Sequence, residues 1–210
     1  MSGMTGALLA GLLAGYGIAM PVGAVATYLV SLTARTSARV GGAAALGVAS
    51  ADGIYALVAV IGGAALTGLI SLVAGPLRVA SAVVLLALAI RIAWTAIRDH
   101  RSGRPAASAG AVQSASRAYL SLLGITLLNP VTVVYFSALV LGSKANGLGG
   151  PGESAVFVVA AFCASATWQL VLVAGGVALG RVLTGRTGAL VIGLVSSAVI
   201  VALTVALLVS

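Results

Sequence analysis

Apolar residues run along this chain in six long stretches, parted by short groups of glycine, serine and basic residues. The stretches are Leu8 to Thr33, Val40 to Leu66, Leu77 to Ile97, Ala118 to Leu141, Ser154 to Leu179 and Ala189 to Val209. A helix of about 20 apolar residues spans a bilayer, so the pattern predicts six transmembrane helices. The breaks are ARTSAR at 34–39, RDHRSGRPAASAG at 98–110, GSKANGLGGPGE at 142–153 and GRVLTGRTG at 180–188. A further break, around Gly68 to Pro76, rests on the single turn signal Gly75-Pro76.

Composition agrees with this class: 61% of residues are hydrophobic and 7% charged, with mean hydropathy +1.22. The whole of 1–210 reads as one transmembrane domain. The net charge of +8 does not point to nucleic acid, because the basic residues follow the loops instead of forming a binding face. Arg35, Arg39, Arg98, Arg101, Arg104, Arg117, Arg181 and Arg186 lie in or bound alternate loops, against Arg78 and Lys144 on the other side. The positive-inside rule makes segments 34–39, 98–117 and 180–188 cytoplasmic and turns both termini outward, in a multi-pass cell membrane protein. Residues 1–34 hold no Lys or Arg, so no basic region of a cleaved signal peptide is expected there. Arg91, seven residues before Arg98, is within snorkelling reach of the headgroups.

The second half of the chain resembles the first. MPVGAVATYLVSL from Met20 matches NPVTVVYFSALVL from Asn129, ASADGIYALVA from Ala49 matches ASATWQLVLVA from Ala164, and VASAVVLLAL from Val79 matches VSSAVIVALT from Val195. The offsets rise in chain order, as a duplication with small loop insertions requires. The expected fold is an all-α integral membrane protein with a 3+3 inverted repeat: residues 1–98, a basic cytoplasmic loop at 99–117, and residues 118–210. Three helices per unit is an odd number, so the second unit crosses the bilayer in the opposite sense.

Asp52, one of three acidic residues in the chain, stands inside the second stretch. A charged side chain at the bilayer centre costs at least about 2.5 to 3.5 kcal/mol, so it marks a functional position unless it is held by a partner. Pro21, Asp52, Pro130 and Thr167 each lie thirteen or fourteen residues from the basic residue bounding their helix. At about 1.5 Å per residue they share one depth, about 20 Å in. Proline removes a donor, so Pro21 frees the carbonyl of Gly17 and Pro130 that of Thr126. Gly17 and Gly23 ease unwinding, and Asn129 offers an amide to the same space. Tyr55, one turn from Asp52, is placed to hold it as a packing residue. Thr167, Trp168 and Gln169 are further candidates to line a cavity.

The motifs MPVGAVAT (20–27), GVASADGIYAL (47–57) and LLNPVTVVYF (127–136) resemble those of the LysE/RhtB family of amino-acid exporters. The likeness covers chain length, helix count and motif order. Ala24 and Ala26 stand where the family often has a second proline and an asparagine, which removes polar contacts. The resemblance implies a secondary transporter that exports amino acids or similar cationic or zwitterionic metabolites by proton-coupled antiport. A substrate carboxylate would meet the N–H groups of a broken helix, and its ammonium would meet Asp52 or freed carbonyls.

The competing readings are weaker. A metal-cation exporter of the same superfamily would need several oxygen ligands, usually more than one carboxylate. An enzyme has no site to use: His100 is the single histidine, no second acid is buried and no Gly-x-Ser-x-Gly occurs. No motif calls for a cofactor or a metal. A non-transporting structural membrane protein leaves the matched prolines unexplained. Cys163 reads as packing. GLLAG (11–15) and GVALG (176–180) suit close helix approach or a homodimer contact.

The orientation is testable by cysteine labelling. Single cysteines at Ser2 and Ser210, in a Cys163→Ser background, are expected to react with an impermeant thiol reagent in whole cells; protection of both would reverse the topology.

Overall fold

The computed structural model describes residues 2–21, 23–62, 65–102, 114–129, 132, 135, 150–182 and 185–209. Every regular element among them is a helix: α1 Ser2–Ala19, α2 Ala24–Arg35, α3 Ala38–Gly62, α4 Ala65–Arg101, α5 Ala115–Leu127, α6 Pro151–Val182 and α7 Gly185–Val209. Four segments are long and apolar enough to cross a membrane alone: Ala38–Gly62, Arg78–Arg101, Pro151–Val182 and Thr187–Ala206. The pair α1 and α2 makes a fifth, bent by 76° at its break.

That break falls where Pro21 removes a donor. The N–H of Met20 still bonds the carbonyl of Tyr16 at 2.9 Å, and the chain then leaves the helix until Ala24. Gly23 is the N-cap of α2, in extended conformation, and no side chain caps the exposed N–H groups. Gly17, expected to unwind, lies inside α1 instead.

Several boundaries differ from the sequence reading. The Gly68 to Pro76 segment is helical, and α4 runs through Pro76 ahead of the apolar segment Arg78–Arg101; a single proline removes one donor, which can bend a helix without ending it. The second span stops at Gly62, short of Leu66. Arg98 to Arg101 form the last turn of α4, and only residues 183–184 separate α6 from α7, where a nine-residue loop was expected. Helix α5 ends at Leu127, with Thr132 and Tyr135 again helical; Pro130 lies outside the described residues. Ser114 starts α5, its hydroxyl accepting the N–H of Arg117 at 3.3 Å.

Small residues set the packing. In hydrocarbon no hydrophobic force draws helices together, so close backbone approach must supply the attraction. Gly11 and Gly15 of α1 face Phe157, Ala160, Ala161 and Ala164 of α6; further along the same seam Gly176 and Gly180 of α6 face Val30, Thr33 and Ala34 of α2. Both small-xxx-small pairs thus face helices of the same chain. Residue 15 faces 161 and residue 34 faces 180, so the broken span keeps a constant register along α6, running parallel to it. The helix α3 runs parallel to α5, with Gly47 on Tyr119 and Tyr55 on Leu127. It runs antiparallel to α6, where Asp52 meets Ser165 and Gly53 meets Phe162. The helix α4 packs on α7, Ala96 and Ile92 lying over Gly193.

The buried apolar residues form two clusters, not one. One gathers Ala7, Ala14, Ala56, Ala59, Phe157 and Ala161. The other gathers Ala24 to Leu32 of α2, Ala44 to Val48 of α3, Leu122 of α5 and Val173 of α6, among others. About two turns of α3 and about three turns of α6 separate the clusters, and the break in the first span lies between them.

Adjacent glycines test the seam. A Cβ at Gly176 would lie 2.8 Å from both the Val30 carbonyl oxygen and the Thr33 Cβ, whereas one at Gly175 meets nothing within 4 Å. Gly176→Ala is expected to cost about 1 to 3 kcal/mol and Gly175→Ala to gain up to about 1 kcal/mol. Thermal unfolding of the purified variants checks the difference in sign.

Candidate functional site

Asp52 lies in the layer between the two apolar clusters, 3% exposed. The Ser165 hydroxyl donates to its Oδ2 at 2.6 Å. A hydrogen bond to a carboxyl at this length is charge-assisted when the acid is ionised. Nothing in the sequence singled out Ser165, although it aligns with Ser50 in the ASAD and ASAT match. The other two acids are remote from this layer: Asp99 lies in the last turns of α4, and the Glu153 carboxylate lies against Gly3 near the start of α1.

Tyr55 does not hold Asp52 by a described hydrogen bond. Its hydroxyl donates to the carbonyl of Leu127, and that of Ser81 donates to the carbonyl of Leu128 at 2.5 Å. These are the carbonyls left over where α5 stops. The Thr126 carbonyl, expected to be freed by Pro130, accepts the N–H of Asn129 at 3.0 Å. A tyrosine from α3 and a serine from α4 therefore finish a helix that cannot finish itself.

Thr126 matters through its side chain instead. Thr27, Thr33, Thr95 and Thr204 each turn the hydroxyl back onto the carbonyl four residues earlier. Thr126 is 3% exposed, and its Oγ1 has no hydrogen-bond partner among the described residues. On α6, Gln169 is 4% exposed, and its Oε1 is likewise without a partner. It stands one turn beyond Ser165 on the same face. The Nε1 of Trp168 is also buried without one. Thr167 is exposed and shares a 3.0 Å hydrogen bond with the Tyr16 hydroxyl, away from Asp52.

The broken span completes the layer. By its register on α6, Gly23 stands level with Gln169, and no described atom lies within 4 Å of where a Cβ on Gly23 would be. The uncapped N-terminus of α2 begins there, carrying the positive end of a twelve-residue helix. Pro21 is exposed at the same break. Gly17 faces Tyr135, whose hydroxyl donates to the Ala14 carbonyl at 3.1 Å, so the residues after Pro130 reach back to α1.

A carboxyl buried beside a broken helix, in a bundle of apolar helices, is an arrangement a transporter uses. Residues 17–210 match the family model described as LysE type translocator. The chain belongs to that family. It is therefore a multi-pass membrane transporter, with the bilayer and a small-molecule substrate as its partners. No curated protein and no solved structure matches the chain.

Of the positions expected from sequence, Asp52, Thr126 and Gln169 are buried in the translocator, Gly23 caps α2, and the Tyr55 hydroxyl donates to the end of α5. Asn129 closes that end through its backbone. Tyr55→Phe and Ser81→Ala, which each leave one carbonyl at this end without its described donor, are expected to lower stability by about 1 to 3 kcal/mol. Thermal unfolding measures this; an unchanged midpoint in both would show that the carbonyls find other donors.

Proposed function

We propose that this translocator exports amino acids, or similar small cationic or zwitterionic metabolites, by proton-coupled antiport. It does so through six spans arranged as a 3+3 inverted repeat with both termini outward. The observation that carries the reading is Asp52, buried between two apolar clusters at the level of a broken helix. The substrate ammonium binds at Asp52, and its carboxylate takes the uncapped N–H groups at the start of α2. Protons take the same carboxyl on the return step.

The packing supports the repeat. A two-fold axis in the membrane plane exchanges span one with four, two with five and three with six. It therefore turns the contact of α1 and α2 with α6 into that of α5 with α3, and leaves the α3–α6 and α4–α7 contacts on themselves. The sequence match makes Ala51 and Ala166 equivalent, and Asp52 bonds Ser165, one residue to either side of that pair. The parallel sense of α1–α6 and of α3–α5, with α3 antiparallel to α6, is the one that six successive crossings produce. Pro130 would face Pro21 across the cavity.

A metal-cation exporter is the second reading. Hard cations draw on several oxygen ligands, usually with more than one carboxylate, and among the described residues no three His, Cys, Asp or Glu side chains cluster.

Flux in proteoliposomes tests the proposal, with a panel of amino acids and of divalent cations, with and without a pH gradient. Amino-acid flux that follows the gradient is expected; flux of a divalent cation alone would overturn the proposal. Asp52→Asn keeps the shape but cannot ionise, so it is expected to insert normally and abolish export, while Asp52→Glu retains part of it. Wild-type export by the asparagine variant would make Asp52 a packing residue.

A further inference from the structure

Resting on that reading, we infer that Thr126 and Gln169 make the site selective for a substrate with a free ammonium group, against N-methylated analogues of the same charge. Asp52 alone would not discriminate between them, because Coulomb attraction to a carboxylate is felt equally by an ammonium and a trimethylammonium. Selection needs acceptors that only N–H groups satisfy.

Both residues supply one. The Oε1 of Gln169 and the Oγ1 of Thr126 are buried oxygens without hydrogen-bond partners among the described residues. They belong to the Asp52 layer from two sides. Gln169 follows Ser165, the partner of Asp52, by one turn of α6. Thr126 lies on the face of α5 turned to α3, between Tyr119, which bonds Ser50 at 3.1 Å, and Leu127, which accepts from Tyr55. That register puts it level with Ile54, about half a turn of α3 from Asp52. Helices α5 and α6 both pack on α3, so the layer holds acceptors from three helices. An ammonium carries three N–H donors, one for each.

The contrast with the other threonines strengthens the case. A membrane threonine ordinarily satisfies its hydroxyl on its own backbone, as Thr33 and Thr204 do here while equally buried. Thr126 gives up that bond in the one layer where a ligand would replace it. A buried polar atom left unpaired is costly, so an analogue with methyl groups in place of N–H pays that cost and adds bulk.

The test is binding to the purified full-length protein, using the twenty standard L-amino acids and, for each one that binds, its N,N,N-trimethyl betaine. Wild type is expected to bind the betaine at least about tenfold more weakly than the free amine. Gln169→Leu and Thr126→Val are expected to shrink that ratio, and Thr126→Ser, which keeps the hydroxyl, to preserve it. Equal binding of amine and betaine by the wild type overturns the inference while leaving the export reading intact, and needs no variant to fold. A ratio unchanged in both variants overturns the role of these two residues. Failure of every amino acid to bind overturns the export reading, and this inference with it.

Discussion

A peptide group left without a hydrogen bond in hydrocarbon costs several kcal/mol, and this constraint decides where the helices here are allowed to stop. Helices α6 and α7 are parted by only two residues, and α4 passes through Pro76 without ending. Where the backbone does break inside the membrane, other parts of the protein supply the missing partners. Tyr55 and Ser81 take the two carbonyls at the end of α5. The start of α2 is the exception. Gly23 offers no side chain to cap it, so its N–H groups are the part of the break that remains available to a ligand.

The second constraint is the weakness of attraction between apolar helices in an apolar solvent. The seam between the broken span and α6 is built from glycine and alanine so that backbones approach to contact distance. The same four glycines hold both halves of the span to one continuous helix, which keeps their register constant across a break that would otherwise free it. A carrier needs this combination. The break exposes the N–H groups at the start of α2, while the seam holds both halves of the span against α6.

Much of the fold was legible because the bilayer writes it in composition. Long apolar stretches and the proline in the first stretch are one-dimensional signals, and four apolar spans and the break at Pro21 follow from them. The loop expected at Gly68 to Pro76 failed because it rested on one Gly-Pro pair, and a single proline can be carried within a helix as a bend. The partners of the site were less readable. Asp52 was conspicuous as an acid among apolar residues, yet its hydrogen bond to Ser165 joins positions 113 residues apart, and serine is common in such helices. Tyr55 was readable as a neighbour of Asp52 because they lie a turn apart, whereas the Leu127 carbonyl that its hydroxyl also reaches is 72 residues away and invisible to local spacing. The small-xxx-small pairs were recognisable as contacts, whereas which helix each contacts is a property of the packed bundle.

On the antiport reading, the isolation of Asp52 is itself a coupling device. The two other acids of the chain sit at helix ends, so nothing else in the layer carries negative charge. With apolar clusters on both sides, a bare carboxylate is the costliest form of the site, and either a proton or one cationic group relieves it. A second buried acid would let proton and substrate bind together, and exchange would slacken into cotransport or leak. A lone carboxyl forces the two to alternate. The Ser165 hydroxyl steadies the acid without neutralising it, which leaves one charge to be matched on each passage.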